Sequence, residues 1–370
     1  MDAPVADYLT DFALADAEQT RLVTTRDLLR HTSGIEGDIF WDTGRGDDCV
    51  RRYVERLGEI GFIHPVGATA SYCNAGFVVA GRIVEELTGQ TWDEALAEHL
   101  LGPLALTHTQ TLPERMIRYA VAHGHDVDDG GAVTLVQRWA IPRSSGPAGI
   151  IAARARDVCV FARLHLDHGR SPAGGQLLSE QSVRAMQKEE AVAPAFGRRG
   201  LGWALFDWSV AGYGHSGGTY GQLAFLRVVP ERDLALIVLT NGGDATAMFE
   251  DLSRAVLDGY AVQLPASLAP PEPPPAGLDL GAFAGTFVRH GTTMRLAPDG
   301  GILTAELVHE EGSTEGETGT TETITFHPVS EDTLLARFRG KTWMEARRYW
   351  LDGTGGEYLH FAGRAARRAG

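Results

Sequence analysis

Lysine is almost missing from this 370-residue sequence: there are two, Lys188 and Lys341, and the residues three positions before them are Ala185 and Phe338 rather than serines. Cysteine is scarce as well. Cys49, Cys73 and Cys159 are too few and too scattered for a disulfide framework, and an odd count leaves at least one free thiol, so small buried side chains are expected. No run approaches the roughly 18 to 20 consecutive apolar residues of a membrane span. The longest dense run, Leu234 to Leu239, is the size of a strand. The first residues, Met-Asp-Ala-Pro-Val-Ala-Asp-Tyr, lack the basic and apolar regions of a signal peptide, so the chain as written reads as cytoplasmic. Positive charge is outnumbered, 33 Lys and Arg against 48 Asp and Glu, for a formal net charge of −15. Such a surface repels a phosphate backbone or an anionic membrane, which excludes nucleic acid and leaves small molecules, peptides or esters as partners.

What is abundant is glycine, at 45 residues, which predicts many tight turns. Six prolines between Pro265 and Pro275 favour extended polyproline conformation and cannot continue a helix or a sheet ladder. They mark a linker over 265–277 that divides a body, 1–264, from a module, 278–370, each long enough to own a core. In the body, Ala75 to Thr88 reads as a helix with Phe77, Ala80, Val84 and Leu87 on one stripe, Asn74 as N-cap and Gly89 as stop. Trp92 to Leu101, Arg156 to His168 and Thr246 to Leu257 read similarly, and Ser179 reads as another N-cap. Gln222 to Val229 and Asp233 to Thr240 are β-branched apolar runs around Pro230-Glu231-Arg232, the pattern of an antiparallel hairpin. Beyond the linker six short strands are expected, at 283–289, 292–296, 302–308, 323–329, 333–338 and 358–362, forming a small antiparallel meander or barrel. The Glu-, Gly- and Thr-rich stretch 309–321 reads as a mobile loop, and the Arg-rich ending from Arg364 as a solvated tail.

Three segments carry chemistry together: Leu28-Leu29-Arg30-His31-Thr32-Ser33-Gly34, Tyr72-Cys73-Asn74, and Gly214-His215-Ser216-Gly217-Gly218-Thr219-Tyr220-Gly221, which leads into the hairpin and on to Thr240-Asn241-Gly242. In this order and spacing the body resembles the serine β-lactamase-like superfamily of class C β-lactamases, DD-peptidases, D-amino-acid peptidases and related esterases. Gly102-Pro103-Leu104, Pro147-Ala148-Gly149 and Ala155-Arg156-Asp157 are further echoes. The resemblance implies an α+β fold, an antiparallel sheet flanked by helices with a helical subdomain, followed by a small all-β barrel-like domain similar to the lipocalin-like modules of some relatives. It implies acyl-enzyme hydrolysis of an amide, peptide or ester bond without cofactor, and leaves homo-oligomerisation open. It gives Tyr72 of the Y-x-N motif the acid/base role, Asn74 a hydrogen bond to the substrate amide, and His215, Ser216 and Gly217 the place of the K-T-G or H-x-G strand, with the Gly218 amide as an oxyanion donor. The physical requirements agree: a serine hydroxyl needs a base, and a phenol with pKa near ~10 needs a nearby cation before it can serve as one. Backbone donors aimed at a developing oxyanion contribute about 3 to 4 kcal/mol.

One part of the family pattern has no counterpart: a Ser-x-x-Lys nucleophile, which in relatives lies upstream of the stretch resembling Asp2 to Leu9. Three expectations follow. Met1 is an internal start of a longer serine hydrolase, or the chain is a truncated relative that binds in the retained cleft without turnover, or an unrelated nucleophile acts. A fragment that does not fold is the bland alternative. Ser33 and His31 are expected to be structural, ahead of a helix cap at Gly34. Cys73 has no neighbouring base in sequence to activate it. His123-Gly124-His125-Asp126-Val127-Asp128-Asp129 lacks the spacing of a metal signature, and His165-x-x-His168, though its rings could share a helix face, has no third ligand indicated, so no metal is expected.

Overall fold

In the computed structural model, which describes residues 1–128, 130–310, 319–338, 340, 342–352 and 356–370, helices and antiparallel sheets alternate through the body and a closed barrel follows. A small hairpin, β1 (His125–Val127) with β2 (Val133–Leu135), precedes a six-stranded sheet in sequential order. That sheet comprises β3 (Ala191–Ala193), β4 (Gly197–Arg199), β5 (Ala204–Asp207), β6 (Ala211–Thr219), β7 (Gln222–Val229) and β8 (Leu234–Thr240). The expected hairpin is β7–β8, paired from Leu223↔Thr240 to Val229↔Leu234 around Pro230–Arg232. Because side chains alternate along a strand, β7 serves two layers. Leu226 and Val228 pack with Trp203, Tyr213 and Ala162 of the helix Ala155–Leu166, while Phe225 stacks on Phe249 of the helix Ala245–Gly259 at a ring separation of 4.3 Å.

A second core joins the N-terminal segment to the helix Asn74–Thr88, through Val5, Leu28, Ile39, Tyr53, Val78, Val79 and Ile83. The helix spans the expected residues and ends on Gly89 in the left-handed region, but its buried face is different. Ala75, Val78, Val79 and Ile83 point inward at i, i+3, i+4 spacing, whereas Val84 and Leu87 are exposed. The apolar residues outnumber one stripe, and tertiary packing selects among them. The N-cap is Cys73 rather than Asn74: the Gly76 amide donates to Cys73 Sγ at 3.2 Å, because Asn74 is drawn elsewhere. Ser179 caps its helix as expected, accepting from the Ser182 amide.

Past the Pro-rich stretch, eight strands rather than six close into a barrel: β9 (Gly285–Arg289), β10 (Thr292–Asp299), β11 (Ile302–His309), β12 (Thr321–Pro328), β13 (Thr333–Arg337), β14 (Trp343–Trp350), β15 (Glu357–Phe361) and β16 (Arg364–Arg368). Alternate residues fill the interior, among them Phe287, Met294, Leu296, Leu303, Ala305, Ile324, Phe326, Leu359 and Phe361, as expected where eight strands leave just enough room for side chains. The additional strands are β14 and β16. Their arginines mask the alternation, yet Ala346 and Ala366 point into the barrel. The ending read as a solvated tail is therefore the closing strand, paired with both β15 and β9. The stretch read as a mobile loop falls largely on residues 311–318, outside the described ones. Among the described residues no helix is long and apolar enough to cross a membrane.

Candidate active site

The short helix Thr25–Leu29 opens with a capping box between Thr24 and Asp27. It stops before the expected cap at Gly34, because His31 takes a positive φ of 63° that turns its ring inward. The His31 ring lies 4.4 Å from that of Tyr72, and its Nδ1 accepts the Cys73 amide at 3.1 Å. Burial holds this imidazole neutral, well below its ordinary pKa, with its ring packed behind Tyr72. The thiol of Cys73 is pushed up to about 12 by burial, which leaves it unreactive.

Tyr72 and Asn74 meet His215, Ser216, Gly217 and Gly218 on one cavity of about 1370 Å³, so all six residues singled out from sequence converge. The Tyr72 and His215 rings are 6.1 Å apart. Burial pushes His215 down to about 4, helped by Arg199 and Arg227, so it is a neutral side chain at pH 7. It therefore brings no positive charge where many relatives have lysine. Glycine allows β6 to pair closely at one position: a Cβ on Gly214 would lie 2.0 Å from the Leu226 carbonyl oxygen, whereas a Cβ on Gly217 would meet nothing within 4 Å. Gly214→Ala is expected to lose about 3 kcal/mol or more by prising β6 from β7, and Gly217→Ala to stay within about 0.5 kcal/mol of the parent in a denaturant titration.

Sequence reasoning missed two cations that line the same cavity. Arg227 on β7 donates through Nη1 to Ser216 Oγ at 3.0 Å and to the His215 carbonyl at 3.3 Å. Arg199 lies 3.6 Å above the Phe196 ring and donates to the Phe196 carbonyl, with its Nε buried and unpartnered. Burial lowers each to about 10, still charged at neutral pH, with no described carboxylate acting on either. The cavity is thus locally positive in an acidic protein. The cation required near Tyr72 is present, since Arg364 lies 4.8 Å over its ring and Arg199 also acts on it, but burial outweighs both and the phenol pKa is raised. Tyr72 consequently keeps its proton.

The barrel forms one side of the cavity, with Met344, Glu345, Arg347 and the β15–β16 turn Ala362-Gly363-Arg364 on its lining. The Tyr72 amide donates to the Gly363 carbonyl at 2.9 Å, and the Ala365 amide donates to Ser71 Oγ at 3.1 Å. Among the described residues no group of three His, Cys, Asp or Glu side chains is arranged to hold a metal ion.

Residues 1–261 match the family described as Beta-lactamase. The chain belongs to the Beta-lactamase family. It is 45% identical over 303 residues to penicillin-binding protein 4 of Amycolatopsis lactamdurans, an alignment covering 79% of this chain and 78% of that protein. Its fold is similar to that of SurE solved with D-Leu, with a TM-score of 0.72 at 25% identity, covering 100% of this chain and 87% of that one. An octameric penicillin-binding protein homologue from Pyrococcus abyssi shares the fold at a TM-score of 0.57 and 19% identity, covering 99% of this chain and 82% of the other. Membership in the Beta-lactamase family places Tyr72-Cys73-Asn74 and the His215 strand within a serine-hydrolase fold.

Proposed function

We propose that the cavity is the acyl-transfer cleft of a serine hydrolase, acting on an amide, peptide or ester bond through an acyl-enzyme whose nucleophile belongs to a Ser-x-x-Lys segment outside these 370 residues. The observation that carries this reading is the convergence of Tyr72, Asn74 and His215 to Gly218 on one cavity inside a Beta-lactamase-family chain. Tyr72, which holds its proton, gives it to the leaving group; to act as a base it needs a further cation, the role the lysine of the absent motif fills. The Gly218 amide donates to the developing oxyanion. Asn74 receives the substrate amide, and Arg199 and Arg227 favour a substrate with a negative charge beyond the reacting carbonyl. SurE was solved with D-Leu, which makes a D-configured residue the first substrate class to try here.

Neither Ser216 nor Cys73 is activated as an alternative nucleophile. Ser216 Oγ is tied to a guanidinium, which cannot take its proton, and Cys73 stays a thiol. The reading requires codons for Ser-x-x-Lys in frame some tens of residues ahead of Met1. A gene without them would remove the hydrolase reading and favour a ligand-binding relative that uses the retained cleft.

A further inference from the structure

Glu36-Gly37-Asp38 lies between the Tyr72–Asn74 segment and the barrel. On one side Gly37 abuts the segment: a Cβ there would lie 2.6 Å from the Tyr72 carbonyl oxygen, and the Gly37 carbonyl accepts the Ala75 amide at 3.0 Å. On the other side Glu36 accepts the His290 amide at 3.0 Å at the β9–β10 turn. Asp38, buried, takes four hydrogen bonds. Asn74 Nδ2 donates at 2.9 Å, Arg289 Nη1 at 2.8 Å, and Arg364 donates through both Nε and Nη2 at 2.8 and 3.0 Å. Three of the four donor groups, on two arginines, come from the barrel and one from the Y-x-N motif.

We infer that Asp38 is a positioning residue: it fixes which end of the Asn74 amide faces the cavity and seats Arg364, with the β15–β16 turn, against Tyr72. The inference rests on the reading of Tyr72 and Asn74 as site residues. An ionised carboxylate can only accept hydrogen bonds, so the NH2 end of Asn74 must face Asp38. Its carbonyl oxygen is then left as the acceptor toward the cavity, ready for a substrate N–H. The two guanidiniums keep Asp38 ionised despite burial, far below the usual carboxylate range. The bidentate fork of Arg364 fixes the turn whose Gly363 carbonyl receives the Tyr72 amide and whose guanidinium covers the Tyr72 ring. The barrel is on this account part of the site's frame.

Two variants of the whole chain test it. In Asp38→Asn the side chain can offer either an oxygen or an NH2 to Asn74, so the amide is free to flip. Amide hydrogen exchange at Tyr72 and Ala365 should speed up about tenfold or more, with barrel interior amides such as Leu303 and helix amides such as Val79 unchanged. Arg364→Gln should speed exchange at Tyr72 while the Asn74 side-chain NH2 resonances hold their wild-type positions; Asp38→Asn should shift them. Titration with N-acetyl-D-leucine and its N-methyl analogue reads the acceptor directly: the parent should prefer the N–H ligand about tenfold or more, and Asp38→Asn should lose that preference. Unchanged exchange at Tyr72 and unchanged Asn74 resonances in Asp38→Asn would overturn the inference, as would equal weakening of both ligands with the preference kept. If the parent binds neither ligand, the D-amino-acid substrate class fails, and the exchange and resonance measurements still decide the role of Asp38.

Discussion

Acidification from pH 7 to pH 5 should cost the protein most of its stability. His165 and His360 are buried and pushed down to about 4, and buried His31 lies well below its ordinary value, in each case chiefly through burial. The unfolded chain takes up protons on these rings near pH 6.5 while the native state refuses them. Stability is therefore complete above that pH and falls as pH drops below it, at about 1.4 kcal/mol per pH unit for each ring; with His215, also pushed down to about 4 by burial, the four rings give about 5 to 6 kcal/mol per unit. His64, also lowered by burial, acts in the same direction. Glu36 and Glu85 oppose it, since burial raises their pKa and the native state gains by protonating them. Against a typical total of about 5 to 15 kcal/mol, the histidines dominate. Urea midpoints at pH 7, 6 and 5 should fall steeply, and His165→Phe should flatten the slope by about a quarter, given its place among Phe161, Trp203 and Tyr213. A midpoint independent of pH between 7 and 5 would show that these rings are not held neutral.

The second large effect concerns catalysis in a protein that carries its Ser-x-x-Lys segment. Tyr72→Phe preserves the ring against His31, Phe196 and Arg364 and removes only the hydroxyl. A group that transfers a proton in the transition state should show its loss in kcat, by about 10² to 10⁴-fold, with KM little changed. Loss of binding with kcat intact would instead make Tyr72 a wall of the cleft.

How much of this was legible in sequence depended on whether a residue's role is local. Tyr72, Asn74 and the His215 strand lie in short motifs with fixed spacing, and they converge in space. The β7–β8 hairpin likewise follows from β-branched runs around a proline turn. Asp38 offered no signal: its role comes from Arg289 and Arg364, distant in sequence, and from an amide that would otherwise have capped its own helix. Arg199 and Arg227 lie outside the motifs, and only the fold turns them onto the cavity. The Arg-rich ending misled because its charge pattern resembles a solvated tail. In the barrel, Ala365 and Ala366 are buried between those arginines, and Arg364 and Arg368 find carboxylates in Asp38 and Glu357.

Covalent labelling tests the central claim most directly. The purified 370-residue chain is incubated with a fluorophosphonate and, separately, with a penicillin probe, and intact mass is followed by peptide mapping. The account predicts no stoichiometric adduct on this chain, and one adduct on the Ser-x-x-Lys serine when that segment is present. A single stoichiometric adduct on one of this chain's own serines, Ser216 or Ser33 included, would contradict it, because the nucleophile would then lie within these residues.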